Sequence, residues 1–197
     1  RHNRGRFILR IEDTDVARNV AAWSEFEPDA SHRVWSLPEV RQEFKGFDLP
    51  LLEALEICNL IAMKSDLIRL ALLYKFGGFW SDLKNRPIKN FLEGITSNQL
   101  TLAEKPTRER GTYCNGFIGC TRGHAFIYAY LEEALTRTLS RRLGGVFGIT
   151  GGGCLFEMVK RTAPTHLYLK REDAWERYMR RTTQSYSKGT QWSTVQK

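Results

Sequence analysis

Residues 64–84, KSDLIRLALLYKFGGFWSDLK, decide the reading of the whole chain. Leu67, Ile68, Leu70, Ala71, Leu72 and Tyr74 place apolar side chains at helical spacing, which predicts an amphipathic helix. Asp66 and Arg69 lie three apart, so they share one face of it. Gly77 marks the helix end, because glycine takes the left-handed C-cap conformation without a Cβ clash. Gly78, Phe79 and Trp80 continue as a short, buried, extended run. Asp82 therefore emerges at a strand end, beside a helix that carries a carboxylate and a guanidinium, and the chemistry is expected at that junction.

Ser65, Asp66 and Arg69, followed by Leu73-Tyr74, Gly77-Gly78, Asp82 and Lys84, resemble the core signature of glycosyltransferase family 32. This is the DxD-motif sugar-binding group related to yeast initiating mannosyltransferases, capsular polysaccharide synthases and the glycosylating clostridial toxins. The resemblance implies one α/β domain over residues 1–197, of the GT-A nucleotide-sugar-binding type. Its central sheet would be mostly parallel with helices on both faces, and the donor would bind at the carboxyl ends of the strands. The implied reaction moves a hexosyl unit from a nucleotide-diphosphate sugar to a hydroxyl acceptor on a glycan, lipid or protein, with retention. Asp66 and Arg69 would hold the sugar and ribose side, and Gly77 and Gly78 belong to the same donor-binding motif.

A diphosphate leaving group carries negative charge that must be neutralised before the anomeric bond breaks. In the family a divalent cation, Mn²⁺ or Mg²⁺, held by the two aspartates of the DxD motif does this as a Lewis acid. Here Asp82 is the one carboxylate left to hold it, and Lys84 replaces the other. A lysine cannot coordinate a metal and repels one at short range. Three readings follow: Lys84 itself neutralises the diphosphate, Asp82 alone holds a weakened metal, or the site is degenerate. The competing function on this scaffold is a non-catalytic nucleotide-sugar or glycan-binding module.

Segments on either side extend the resemblance. Upstream, Trp23, Pro28 and Asp29, then His32-Arg33-Val34-Trp35, are similar to the family's first helix and second strand. A polar helix follows over 37–44. After a turn at Gly46, Asp48 and Pro50 form an N-cap and first-turn pair for a helix over 51–61. Downstream, the proline of Pro87-Ile88-Lys89-Asn90-Phe91 bars a central strand partner, and residues 100–103 read as a strand. Tyr113 to Cys120, with Gly123-His124-Ala125-Phe126, resembles a segment in which Asn115 faces the donor sugar. His124 precedes a helix over 125–139 and reads as its cap more readily than as an acid, base or ligand.

The glycine-dense run from Gly144 to Gly153 lacks the G-K-[ST] ending of a phosphate loop. It is similar instead to a family segment in which Thr150 and Gly151 line the pocket before a helix over 154–161. In the tail, Lys188 and Trp192 resemble the family's closing segment, with Trp192 as a lid over the diphosphate and Lys188 where the family often has a metal-binding histidine. Two cations, Lys84 and Lys188, thus stand at two metal-ligand positions. The resemblance implies donor binding that is metal-independent or weakly metal-dependent.

Composition bounds the alternatives. The 197 residues are 42% hydrophobic, enough for one domain with a sizeable core. No apolar run approaches a membrane span, and the chain, which starts at Arg1, reads as a fragment or processed piece, so the compartment stays open. Of the net charge of +8, residues 1–136 contribute nothing, with 18 basic and 18 acidic side chains; residues 137–197 hold 12 basic against 4 acidic. No nucleic-acid-binding module accompanies this excess, which argues against a nucleic-acid partner. A stretch at 7–15, FILRIEDTD, resembles one in glutamyl-tRNA synthetases, but the signatures that flank it there are missing. Cys58, Cys114, Cys120 and Cys154 show no C-x-x-C spacing and read as buried thiols, a Cys114–Cys120 bridge being left open. His2, His32, His124 and His166 cluster with none of them, which argues against zinc.

Overall fold

The computed structural model describes residues 14–90, 100–105, 113–170 and 172–181. Residues 7–13 of the FILRIEDTD stretch and the tail residues Lys188 and Trp192 lie outside these. Helix α1 spans Thr14–Phe26, α2 Leu37–Glu43, α3 Leu51–Ile57 and α4 Ile61–Phe76. Strand β1 is Gly78–Ser81, β2 Asn85–Pro87, β3 Leu100–Glu104 and β4 Tyr113–Cys120. Then come α5 (Ala125–Leu139), α6 (Val146–Ile149), α7 (Gly152–Thr162), β5 (His166–Leu169), a π-helical segment (Glu172–Tyr178) and β6 (Met179–Arg181).

Helix α4 is the central element. Met63, Leu67, Leu70, Ala71, Leu72 and Leu73 are buried, and so are Asp66 and Arg69. A helix buried nearly all round has no solvated face for its charged residues, so Asp66 and Arg69 must find partners inside. The helix stops at Gly77, whose N–H still bonds the Leu73 carbonyl at 2.8 Å. Gly77 has φ +71° and ψ −158°, a positive-φ extended conformation rather than the αL cap expected, and one that is almost confined to glycine. A Cβ there would come within 2.5 Å of the Arg122 backbone nitrogen, so the turn also requires close approach to the chain beyond β4.

The four-stranded sheet has the order β1-β4-β3-β5. β1 pairs antiparallel with β4, β3 antiparallel with β4, and β3 parallel with β5. The expectation of a mostly parallel sheet is therefore corrected: among the described strands the sheet is mostly antiparallel. The physical reason lies in the connections. A parallel pair needs a crossover, usually helical, and β5 reaches its place beside β3 only after α5, α6 and α7. A two-stranded antiparallel sheet, β2 with β6, stands separately.

Helices do cover both faces, and side-chain alternation along β4 shows why. Ile118 and Cys120 point into the main core with Leu100 and Leu102 of β3, Leu67 and Leu70 of α4, Ile127 and Leu131 of α5, and Leu155 of α7. Phe117 points the other way and packs with Ala103, Ala174, Trp175 and Met179, with Trp23 of α1 and Phe79 alongside. Leu102 and Ala103, adjacent on β3, serve opposite faces by the same alternation, and a register shift in the pairing with β4 falls between them.

Other local expectations fare unevenly. Ser36 caps α2 through a reciprocal capping box with Glu39, at 3.0 and 2.8 Å; residues 32–36 are unpaired rather than the second strand foreseen. Pro50 rather than Asp48 occupies the N-cap of α3, with no side-chain cap bond, and α3 ends at Ile57. The extended residues Cys58 and Leu60 separate it from α4. Gly46 turns with φ +78°. The Nδ1 of His124 accepts the Phe126 N–H at 3.2 Å, so His124 is the N-cap of α5. All four cysteines are free. Cys114 and Cys120 lie six residues apart on one strand, roughly 20 Å at the usual rise, far beyond disulfide reach.

Candidate active site

The sheet edge and α4 bring four charged groups together. Asp82 follows the last residue of β1, and its N–H donates to the Gly116 carbonyl of β4 at 2.9 Å. This fixes the residue against the neighbouring strand. The carboxylate rests where Gly116 has no side chain, since a Cβ there would lie 2.5 Å from Asp82 Oδ2. Behind it, Arg69 reaches out of α4. Its Nη2 lies 3.1 Å from Asp82 Oδ1 and 3.1 Å from Asp66 Oδ1, and Nη1 donates to the Asn115 carbonyl.

Asp66 is held from two further directions. Asn115 Nδ2 of β4 donates to Oδ1 at 3.0 Å, and the Thr150 hydroxyl, between α6 and α7, donates to Oδ2 at 2.8 Å. Asp82 receives two more donors: Trp80 Nε1 at 3.1 Å on Oδ1 and Lys84 Nζ at 2.9 Å on Oδ2. Two carboxylates and two cations thus form a neutral group, the condition under which charge can be kept inside a fold.

Exposure divides this group. The side chains of Asp66 and Arg69 are 6% and 5% exposed, whereas Asp82 and Lys84 are 19% and 25% exposed. Asp66 and Arg69 are a buried frame, and Asp82 and Lys84 are its solvent-facing edge. Electrostatics follow burial. Desolvation pushes the Asp66 carboxyl up to about 6, against the pull of Arg69 and the Thr150 hydroxyl. At Asp82 desolvation acts the same way, yet Arg69 and Lys84 outweigh it and hold the carboxyl below its ordinary range. Burial opposes the charge on Arg69, but Asp82 and Asp66 raise its pKa above the usual value.

The turn that carries Lys84 is pinned on several sides. Asn85 N–H bonds the Asp82 carbonyl at 2.8 Å, and the buried Asn85 Nδ2 donates to the Gly116 carbonyl at 3.0 Å. Asn19 of α1 donates to the Leu83 carbonyl at 2.8 Å. Lys84 is therefore presented by a fixed backbone, a requirement for a working cation.

Of the residues singled out from sequence, Asp66, Arg69, Asp82, Lys84, Asn115 and Thr150 converge, with Gly151 next in chain as the N-cap of α7. Gly77 and Gly78 do not join them, because they lie at the opposite end of β1 and shape the turn from α4. Lys188 and Trp192 lie outside the described residues. Trp80, Asn85 and Gly116 were missed as site residues. Trp80 looked like core, and the value of Gly116 depends on a carboxylate 34 positions earlier in the chain; only the Asn after Asp82-Leu-Lys carried a signal, as a turn former.

The fit to a divalent cation can be tested on Asp82. Oδ1 is taken by Arg69 and Trp80, Oδ2 by Lys84. Among the described residues no group of three His, Cys, Asp or Glu side chains is placed to hold a metal. With an ammonium where a second carboxylate would stand, these residues do not fit the metal site of a DxD enzyme.

The fold can be compared with those of solved proteins. The chain is similar to a solved structure described as "PaToxG Glycosyltransferase", with a TM-score of 0.56 and 17% identity over 75% of this chain and 62% of that one. The chain thus spans under two thirds of that relative's length. Residues 13–104 match the family described as glycosyltransferase sugar-binding region containing DXD motif. The matched part contains Asp66, Arg69, Asp82 and Lys84. No curated protein sequence matches the chain.

Proposed function

We propose that this domain is a glycosyltransferase that moves a hexosyl unit from a nucleotide-diphosphate sugar to a hydroxyl of a glycan, lipid or protein, with retention, and that a D-x-K pair does the work of D-x-D. The observation that carries this reading is the Lys84 ammonium, 2.9 Å from Asp82 Oδ2 on a pinned turn at the end of β1. It supplies positive charge where the family's metal would. When the anomeric C–O bond breaks, its electron pair leaves on the diphosphate. A fixed ammonium there stabilises the developing charge through charge-assisted hydrogen bonds. Asp82 aims Lys84, while the Asp66–Arg69–Asn115 frame sets Asp82. Donor binding on this account needs little or no divalent metal. Among the described residues no helix is long and apolar enough to cross a membrane.

The test is a thermal-shift and hydrolysis screen of the purified chain against UDP- and GDP-sugars, with Mn²⁺ or with EDTA. Stabilisation by one donor, with slow release of its nucleoside diphosphate in EDTA, is the expected result. A non-catalytic binding module on the same fold has one observation in its favour, namely that both Asp82 oxygens are already engaged. It predicts stabilisation by a donor without any release.

A further inference from the structure

Helix α5 has no residue among the charged group, yet it grips the turn that delivers Thr150. Tyr130 and Arg137 are seven apart, two turns along one face, and both are buried. The Tyr130 hydroxyl lies 2.7 Å from the Thr150 carbonyl and 2.9 Å from that of Gly151, donating to this pair. Arg137 Nη1 donates to the Gly148 carbonyl at 2.7 Å. Its other nitrogens are held by Glu133, one turn back on α5, at 2.7 Å and by Glu157 of α7 at 2.6 Å.

The backbone carbonyls of residues 148, 150 and 151 are thus fixed from one side by α5, and the Thr150 hydroxyl is left to point the other way, onto Asp66 Oδ2. Nothing in main-core packing requires a phenol or a guanidinium on this face. Phenylalanine and an aliphatic residue would fill the same space.

We propose that Tyr130 and Arg137 are positioning residues, which hold the 148–151 turn so that the Thr150 hydroxyl bonds Asp66 and keeps the Asp66–Arg69–Asp82 chain in its working arrangement. The inference deepens the transferase reading and rests on it for its consequence in catalysis, but the geometry can be tested without turnover. The groups facing Asp66 are Arg69 on its own helix, Cys58 at the end of α3, Asp82 and Lys84 beyond β1, Asn115 on β4, and Thr150 and Tyr130 from the α5–α7 side. Thr150 favours the ionised carboxyl, so weakening its bond raises the Asp66 midpoint above about 6.

The experiment is a carboxyl titration by NMR on aspartate-labelled protein, with the Asp66 signal assigned through Asp66→Asn, alongside the pH profile of donor hydrolysis. Thr150→Val should move the Asp66 midpoint up by roughly one unit, the size expected for losing one hydrogen bond to a charged group. Thr150→Ser should restore it. Tyr130→Phe and Arg137→Lys, both mild enough to fold, should move it the same way by a smaller amount. Tyr130→Phe should add nothing in a Thr150→Val background, since both act through one contact.

If the transferase reading holds, the acid limb of hydrolysis follows these midpoints. A Tyr130→Phe protein that loses thermal stability but titrates like the wild type would overturn the proposal, as would full additivity in the double variant. Shifted midpoints in a protein that hydrolyses no donor would leave the positioning intact and defeat the transferase reading instead.

Discussion

The buried frame of Asp66, Arg69, Asn115 and Thr150 and the exposed edge of Asp82 and Lys84 use the same kinds of group for different ends. In the frame both Asp66 oxygens and both Arg69 Nη atoms are held by other elements of the fold, Arg69 Nε being buried without a partner, and exposure is only 5–6% for the ion pair. At the edge, Lys84 and Asp82 meet at 2.9 Å with 25% and 19% exposure. An ion pair in the frame is costly to break because either half would be left charged in a low dielectric. One at the edge is worth little to stability, since water can replace either partner. Stability and activity should therefore separate along this boundary.

The largest break should come from the frame. Arg69→Met leaves the buried Asp66 without a cation and Asp82 with Lys84 alone, and should cost about 3–5 kcal/mol, read by denaturant unfolding. Next is Gly116→Ala. The added Cβ would sit 2.5 Å from Asp82 Oδ2, and a carboxylate can swing away at a cost of about 1 kcal/mol. Donor hydrolysis should then fall by more than about tenfold with folding nearly intact, the size of effect a misplaced charged group produces.

The third prediction concerns pH. The Asp66 carboxyl is raised in the fold, from an ordinary 3.8 to about 6. The folded state therefore binds a proton that the unfolded state has released across that window. Frame stability contributed by Asp66 is present below it and declines as pH rises through it. Asp82, with its pKa lowered, contributes in the opposite sense, gaining stability as pH rises through the ordinary carboxyl range. Asp66→Asn should flatten the declining component measured between pH 4 and 6. The smallest effect is a control remote from the site: Ser36→Ala removes the cap of α2 and should lower stability by about 1 kcal/mol without altering donor hydrolysis.

Much of the edge was legible in the sequence. Helical spacing, a glycine break and an apolar run placed α4, β1 and Asp82 in order, because those signals are local. Likewise β3, α5 and the cap by His124 were expected from the sequence, while residues 113–120 were matched only by resemblance and not read as the strand β4. What the sequence could not supply depends on distant partners. Thr150 touches Asp66 across 84 positions, and the Gly116 gap has meaning only once Asp82 lies against β4. Strand sense was misjudged because it depends on which connections cross the sheet, not on the strands themselves. Asp48 failed as a cap because Pro50 took that position in the helix start. The resemblance made Asp66 and Arg69 donor contacts; that they also form a buried ion pair held by Asn115 and Thr150 depends on partners far along the chain.

The central claim is that Lys84 carries the charge a metal carries elsewhere. Its most direct test is release of nucleoside diphosphate from the preferred donor by wild type and Lys84→Asp, each in EDTA and in Mn²⁺. The account predicts that the wild type turns over equally well in both. Lys84→Asp should be at least tenfold slower in EDTA, on the order of what one electrostatic stabiliser contributes, with partial recovery in Mn²⁺. A wild type that depends on Mn²⁺, or a Lys84→Asp protein faster than wild type in its presence, would contradict the claim and mark Lys84 as a residue that weakened a metal site rather than replaced it.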